Sequence, residues 1–163
     1  VALGAADELQ VLRAEREISR VILCYARGVD RLDFELVRSC FHADARIHYG
    51  DWFSGDLDQG IAWLEESVPR LGGTLHVFGP PWIELDWEEG VAHCETYAVN
   101  SALYPADTDG VVIQNVSGTR YLDRFEFRAG RWAIAERRNR RVWSQNAPIV
   151  DDPPLPQDPL ERP

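Results

Sequence analysis

Asp30 and His76 are the two residues whose types could together move a proton. Asp30 follows directly on a long segment with an apolar stripe, and His76 sits mid-strand in Gly73-Thr-Leu-His-Val-Phe78. A carboxylate hydrogen-bonded to one imidazole nitrogen fixes the tautomer and raises the basicity of the other nitrogen. Such a pair suits abstraction of a proton from carbon next to a carbonyl or a leaving group. Each also has a structural reading, Asp30 as a helix-end aspartate and His76 as a satisfied core histidine. Tyr25 lies on the same stripe as the approach to Asp30, so its ring can pack while its hydroxyl faces a cavity. Core packing alone would also account for it.

Arginine supplies every one of the 17 basic residues, and the chain of 163 residues has no lysine and a net charge of −10. Schiff-base, pyridoxal-phosphate and Walker-type phosphate-loop chemistry need an ammonium group and are excluded. The acidic balance argues against nucleic acid and anionic membrane as partners. Arg137, Arg138, Arg140 and Arg141 crowd into one stretch. Strict alternation from Trp132 and Ile134 places Arg141 on the opposite strand face, and a bulge between them would bring it round. The alternative is a solvated face that pairs with Asp151, Asp152, Asp158 and Glu161. The remaining arginines are expected on the solvated surface.

His42 reads as a helix-end residue, His48 as outward-facing, and His93 as a neighbour of the small Ala92 and Cys94. No pair has HxH or HExxH spacing, so no metal site is expected. Neither Gly-x-Gly-x-x-Gly nor Gly-x-Ser-x-Gly occurs, and no cofactor is expected. Cys24, Cys40 and Cys94 read as buried free thiols in a reducing compartment. With no run of 18 apolar residues and no signal-like N-terminus, a cytoplasmic location is expected.

The elements that must position these groups follow from periodicity. Residues 7–29 read as an amphipathic helix, with Ile18, Ile22, Tyr25 and Val29 on one face. Asp33 can cap a short second helix that carries Phe34, Leu36, Val37 and Phe41. A strand over 45–49 puts Ala45, Ile47 and Tyr49 on one face, and an irregular stretch holds Trp52 and Phe53. A third helix carries Leu57, Ile61, Leu64, Val68 and Leu71 before Pro69 frays its end. Strands are expected at 74–79, 82–87, 91–104, 111–127 and 131–143, with tight turns at Gly90 and Gly130. Residues 1–146 form one domain, and 147–163 form an acidic, proline-rich tail. Helices followed by an antiparallel meander argue an α+β fold, with three helices covering one face of a strongly curved sheet. The cavity between them is the expected ligand site. Ile47, Tyr49, Trp52, Phe78 and Asn115 are expected to line it.

Four segments together resemble the SnoaL-like branch of the nuclear-transport-factor-2-like superfamily. They are Tyr25-Ala-Arg-Gly-Val-Asp30-Arg-Leu-Asp33, Phe41-His-Ala-Asp44-Ala45, Gly118-Thr-Arg-Tyr121-Leu-Asp123-Arg124 and Gly130-Arg-Trp132-Ala-Ile134. The resemblance spans roughly residues 8–145, a domain-sized stretch. It implies a cone-shaped half-barrel with a deep pocket, often paired into a homodimer or a higher homo-oligomer through the outer sheet face. It also implies that Asp30 and His76 meet in that pocket. Tyr25, Asp30, His76 and Arg141 are similar in pattern to bile acid 7α-dehydratases. That likeness implies that Tyr25 and Arg141 polarise a substrate oxygen or carboxylate while His76 moves the proton. The expected function is a cofactor-independent lyase or isomerase on a small apolar metabolite, a dehydratase first. A non-catalytic ligand-binding domain, a polyketide cyclase or an epoxide hydrolase are the alternatives, because one fold hosts many functions.

Overall fold

Ile18, Ile22, Tyr25 and Val29 are all buried along the first helix, α1 (Ala5–Asp30), which packs on the sheet through the stripe that its spacing marks out. The computed structural model describes residues 5–106 and 110–149 of the chain. After α1, Asp33 accepts a hydrogen bond from the Leu36 amide and so starts α2 (Phe34–Ser39). Strand β1 (Phe41–Tyr49) is longer than its alternation suggests, and His42 therefore belongs to a strand rather than to a helix end. The stretch read as irregular contains a short strand, β2 (Phe53–Asp56).

Helix α3 (Leu57–Ser67) opens on a capping box. The Asp56 carboxylate accepts from the Gln59 amide and the Gln59 side chain accepts from the Asp56 amide, so two orphan donors are satisfied. Leu57, Ile61 and Leu64 bury one face of α3, and a single 3-10 turn (Val68–Arg70) with Pro69 ends it. The meander then runs β3 (Gly73–Phe78), β4 (Trp82–Asp86), β5 (Val91–Tyr104), β6 (Ile113–Arg128) and β7 (Arg131–Pro148). At the β6–β7 turn Ala129 and Gly130 both have positive φ, 51° and 77°, which is the twist a two-residue hairpin needs.

The sheet order is β2-β1-β7-β6-β5-β3, with β4 also pairing β5. All pairs are antiparallel except β1 with β7, which is parallel. Two register shifts on β7 let the sheet bend: Ile134 and Glu136 face consecutive residues of β6, as do Arg141 and Trp143. The result is a curved, unclosed sheet whose concave face carries α1 and α3. One buried cluster from Ala14 to Ile134 fills the space between them. Each fully buried Ile or Phe in it contributes about 1.5–3 kcal/mol relative to exposure. Residues 150–163, most of the expected tail, lie outside the described residues; β7 itself continues to Pro148.

Candidate functional site

The C-terminal end of α1 and the middle of β3 converge, and this brings Asp30 against His76. His76 Nδ1 lies 2.6 Å from Asp30 Oδ1. The His76 amide donates to Asp30 Oδ2 at 2.8 Å, and the Thr74 hydroxyl donates to Oδ1 at 2.9 Å. Thr74 and His76 point the same way from β3 by period two, so one short strand supplies all three donors. The carboxylate is thus held by three fixed donors, and Nδ1 carries the proton toward it. Nε2 is left as the nitrogen with a free lone pair. His76, but not Asp30, lines a cavity of about 430 Å³ between the helices and the sheet.

Tyr25 and Tyr49 also line the cavity. Their hydroxyls lie 2.7 Å apart, and both side chains are buried. Burial pushes both phenols well above the ordinary value of 10.0, so each pocket hydroxyl stays a neutral donor. Because one of the two donates to the other, one proton remains for a ligand oxygen. Trp63 on α3 stacks beside Tyr49 and Phe53, with ring centres 5.5 and 5.7 Å away, and extends the aromatic wall.

Arg141 reaches the cavity, where its guanidinium carbon sits 3.8 Å over the centre of the Trp52 ring. The bulge required by the alternation argument exists at Ala135, between Ile134 and Glu136, and it turns Arg137, Asn139 and Arg141 to the concave side. Asn115, Tyr49 and Trp52 also line the cavity. Asn115 is tied down at the rim, its amide donating to Ser144 Oγ at 2.7 Å and to Asn146 Oδ1 at 2.6 Å. Ile47 and Phe78 stand behind the wall. Ile47 is fully buried against Gly60 of α3, and Phe78 packs on His76 and Tyr121 with centres 6.1 and 4.8 Å away.

Two residues of this site escape a reading of the sequence. Asn100 faces His76 across the β3–β5 pair and lines the cavity. Its amide nitrogen lies 3.3 Å from Thr119 Oγ1 and 3.2 Å from Tyr121 Oη, while its oxygen is buried without a partner among the described residues. The strand register opposite His76 is the signal that would have found it. Arg137, expected on the solvated surface, is instead fully buried beneath the site. Its Nε and Nη2 each donate to one Asp123 oxygen at 2.7 Å. Its guanidinium carbon lies 4.0 Å from the Tyr25 ring centre and 5.0 Å from that of Tyr121. Burial alone would lower the Arg137 pKa, but the facing Asp123 carboxylate outweighs it and the cation is held.

Among the described residues no group of three His, Cys, Asp or Glu side chains could hold a metal ion, and no helix is long and apolar enough to cross a membrane. All three cysteines are free thiols; burial pushes Cys40 and Cys94 up to about 12, whereas Cys24 is only partly buried.

No curated protein matches the chain. Solved structures do. A Novosphingobium aromaticivorans protein provisionally named scytalone dehydratase is 18% identical, with a TM-score of 0.73 over 95% of this chain and 99% of that one. The Kribbella flavida protein Kfla4162 is 17% identical, with a TM-score of 0.74 over 83% of this chain and 95% of that one. A type 2 hexachlorocyclohexane dehydrochlorinase (LinA) is 13% identical, with a TM-score of 0.72 over 94% and 99%. At such identities the likeness is one of fold. The SnoaL-like domain model matches residues 10–138. The chain therefore belongs to the SnoaL-like domain family, with the α+β half-barrel fold of the nuclear-transport-factor-2-like superfamily.

Proposed function

We propose that the chain is a cofactor-independent lyase or isomerase that removes a carbon-bound proton from a small, largely apolar organic molecule, with loss of water as the preferred outcome. The observation that carries this reading is the 2.6 Å Asp30–His76 contact at the wall of an aromatic cavity. His76 Nε2 takes the proton. Asp30 keeps the imidazole in the Nδ1–H tautomer and stabilises the imidazolium that forms. The Tyr25–Tyr49 hydroxyl pair donates to the oxygen on which negative charge develops, or to the hydroxyl that leaves. Arg141 on Trp52 binds the outer end of the molecule. The aromatic walls keep water from the site and strengthen each of these hydrogen bonds. The names of two fold neighbours, a dehydratase and a dehydrochlorinase, support elimination chemistry. Exposed apolar residues on the outer sheet face, Leu75, Val77, Tyr97 and Val99, support a paired assembly of two copies.

A library of small hydroxylated and keto compounds, incubated with the protein and read by mass spectrometry for loss of one water, tests the reading. His76→Ala and Asp30→Asn should each lower turnover of any compound found by about 10²–10⁴-fold. Full turnover by both variants would remove the Asp–His base from the account.

A further inference from the structure

The charges of the cavity are the reverse of those of the molecule. The chain as a whole carries a net charge of −10. Among the described residues that line the cavity there is no Asp or Glu side chain, and the permanent charges are the guanidiniums of Arg70 and Arg141. Among the described residues, Asp30 is set behind His76 and held by three donors, and Asp123, beneath the site, is neutralised by Arg137. Arg70 is paired with Glu66 at 2.6 Å, and both are largely exposed. Arg141 is exposed as well but differs in its partners. Among the described residues it has no carboxylate partner, although acids outnumber bases 27 to 17 in the chain. Its guanidinium carbon lies 3.8 Å over the Trp52 ring, which holds the group at the cavity, and among the described residues its guanidinium donates no hydrogen bond.

An arginine held over an aromatic ring, with no carboxylate partner among the described residues, is suited to a bidentate carboxylate. The rest of the lining suits what such an acid would carry. Tyr49, Trp52, Trp63 and Tyr121 give the lining an aromatic character that suits a flat apolar body, and the volume of about 430 Å³ lies within the small-molecule range of ~300–1,000 Å³. A neutral ligand would leave the exposed Arg141 donors to water and gain nothing from them. A cationic one would meet two guanidiniums and no carboxylate in the lining.

We infer that the cavity takes a planar, aromatic or conjugated carboxylic acid in its anionic form, with the carboxylate on Arg141 and the ring system running inward to His76. This names the substrate class of the site described above and rests on that site's being the binding cavity, but it does not require that turnover occur. The order of groups follows from the walls: an apolar body between the aromatic rings, one acid at the mouth, and the reacting carbon at His76.

The inference is tested by binding alone. Benzoate, cinnamate and 2-naphthoate are titrated against their neutral amides at neutral pH, and quenching of tryptophan fluorescence, to which Trp52 and Trp63 contribute from the wall, gives the affinity. The expected result is that at least one acid binds tenfold or more tightly than its own amide. Arg141→Met, which keeps the apolar stem and removes the charge, should bring that ratio close to one. His76→Ala should keep the ratio, whatever it does to turnover, so failure of the proton-abstraction reading and failure of the acid reading appear in different columns. Binding of no acid, equal binding of acid and amide by the wild-type chain, or an undiminished ratio in Arg141→Met would overturn the inference.

Discussion

Arg137 stands in a stretch with three other arginines, yet none of its side chain meets solvent and both Asp123 oxygens hold it. A buried pair of this kind adds little net stability over an apolar pair of equal size, but breaking it strands a charge. Arg137→Met should therefore cost about 3–5 kcal/mol of unfolding free energy in urea denaturation, whereas Arg137→Met combined with Asp123→Leu should recover most of the loss. A double variant as unstable as the single one would mean that packing on Tyr25 and Tyr121, not the charge, is what Arg137 supplies. The residue was illegible for a physical reason. In a run of arginines each one reads as surface, because only the partner across the β6–β7 hairpin makes burial affordable. Asp30 and His76 were legible by type, but their contact came from the family resemblance; only the approach of α1 to β3 brings them within hydrogen-bond reach.

Elements decide how well those residues are held. Helix α3 carries Trp63 and Leu64 into the cavity wall, and its first turn is fixed by the Asp56–Gln59 capping box. Asp56→Ala should lower stability by about 1 kcal/mol, read as a shifted urea midpoint, with Asp56→Ser close to neutral. An unchanged midpoint in Asp56→Ala would show that the tertiary contacts of α3 suffice without the cap. Strong periods and turn residues made α1, α3 and the meander from β3 to β7 readable. Strand β2 was not, since four residues that include Ser54 and Gly55 give too little alternation to register. The start of β1 was hidden because Phe41 looks like the last apolar residue of α2, although it is the first of a strand that pairs with β7. A bulge on β7 was one of the two readings left open for Arg141, and no residue was assigned to it. Nothing in Ala135 itself marks it, and only the register Arg124↔Glu136 followed by Phe125↔Ile134 does.

For the whole molecule, two sets of buried titratable groups bound the pH range of stability. His42 donates from Nε2 to the Glu126 carbonyl, 2.9 Å away. Burial, with Arg128 and Arg131 nearby, lowers its pKa below the ordinary 6.5, while Asp44 opposes the shift. The unfolded chain therefore takes up a proton near pH 6.5 that the folded chain refuses, and stability falls as pH drops below that point. The Tyr25, Tyr49 and Tyr121 phenols are all pushed above 10.0, first by burial, so the unfolded chain loses protons that the folded chain keeps. Stability should then fall again as pH rises past about 10. A melting temperature followed against pH should show a plateau between these limbs, and His42→Gln, which keeps a donor without titrating, should flatten the onset of the acid limb. An acid limb unchanged in His42→Gln would move its origin to the carboxylates.

Transfer of a proton from carbon to His76 is the step on which the whole account depends. It is measured most directly by running the compound library in deuterium oxide and following deuterium at carbon, together with loss of water, for the wild-type chain, His76→Ala and Asp30→Asn. The expected result is deuterium uptake or elimination for at least one compound with the wild-type chain, reduced by about 10²-fold or more in both variants. Exchange or elimination at the wild-type rate in His76→Ala would contradict the account, because the described residues that line the cavity include no carboxylate and no second imidazole.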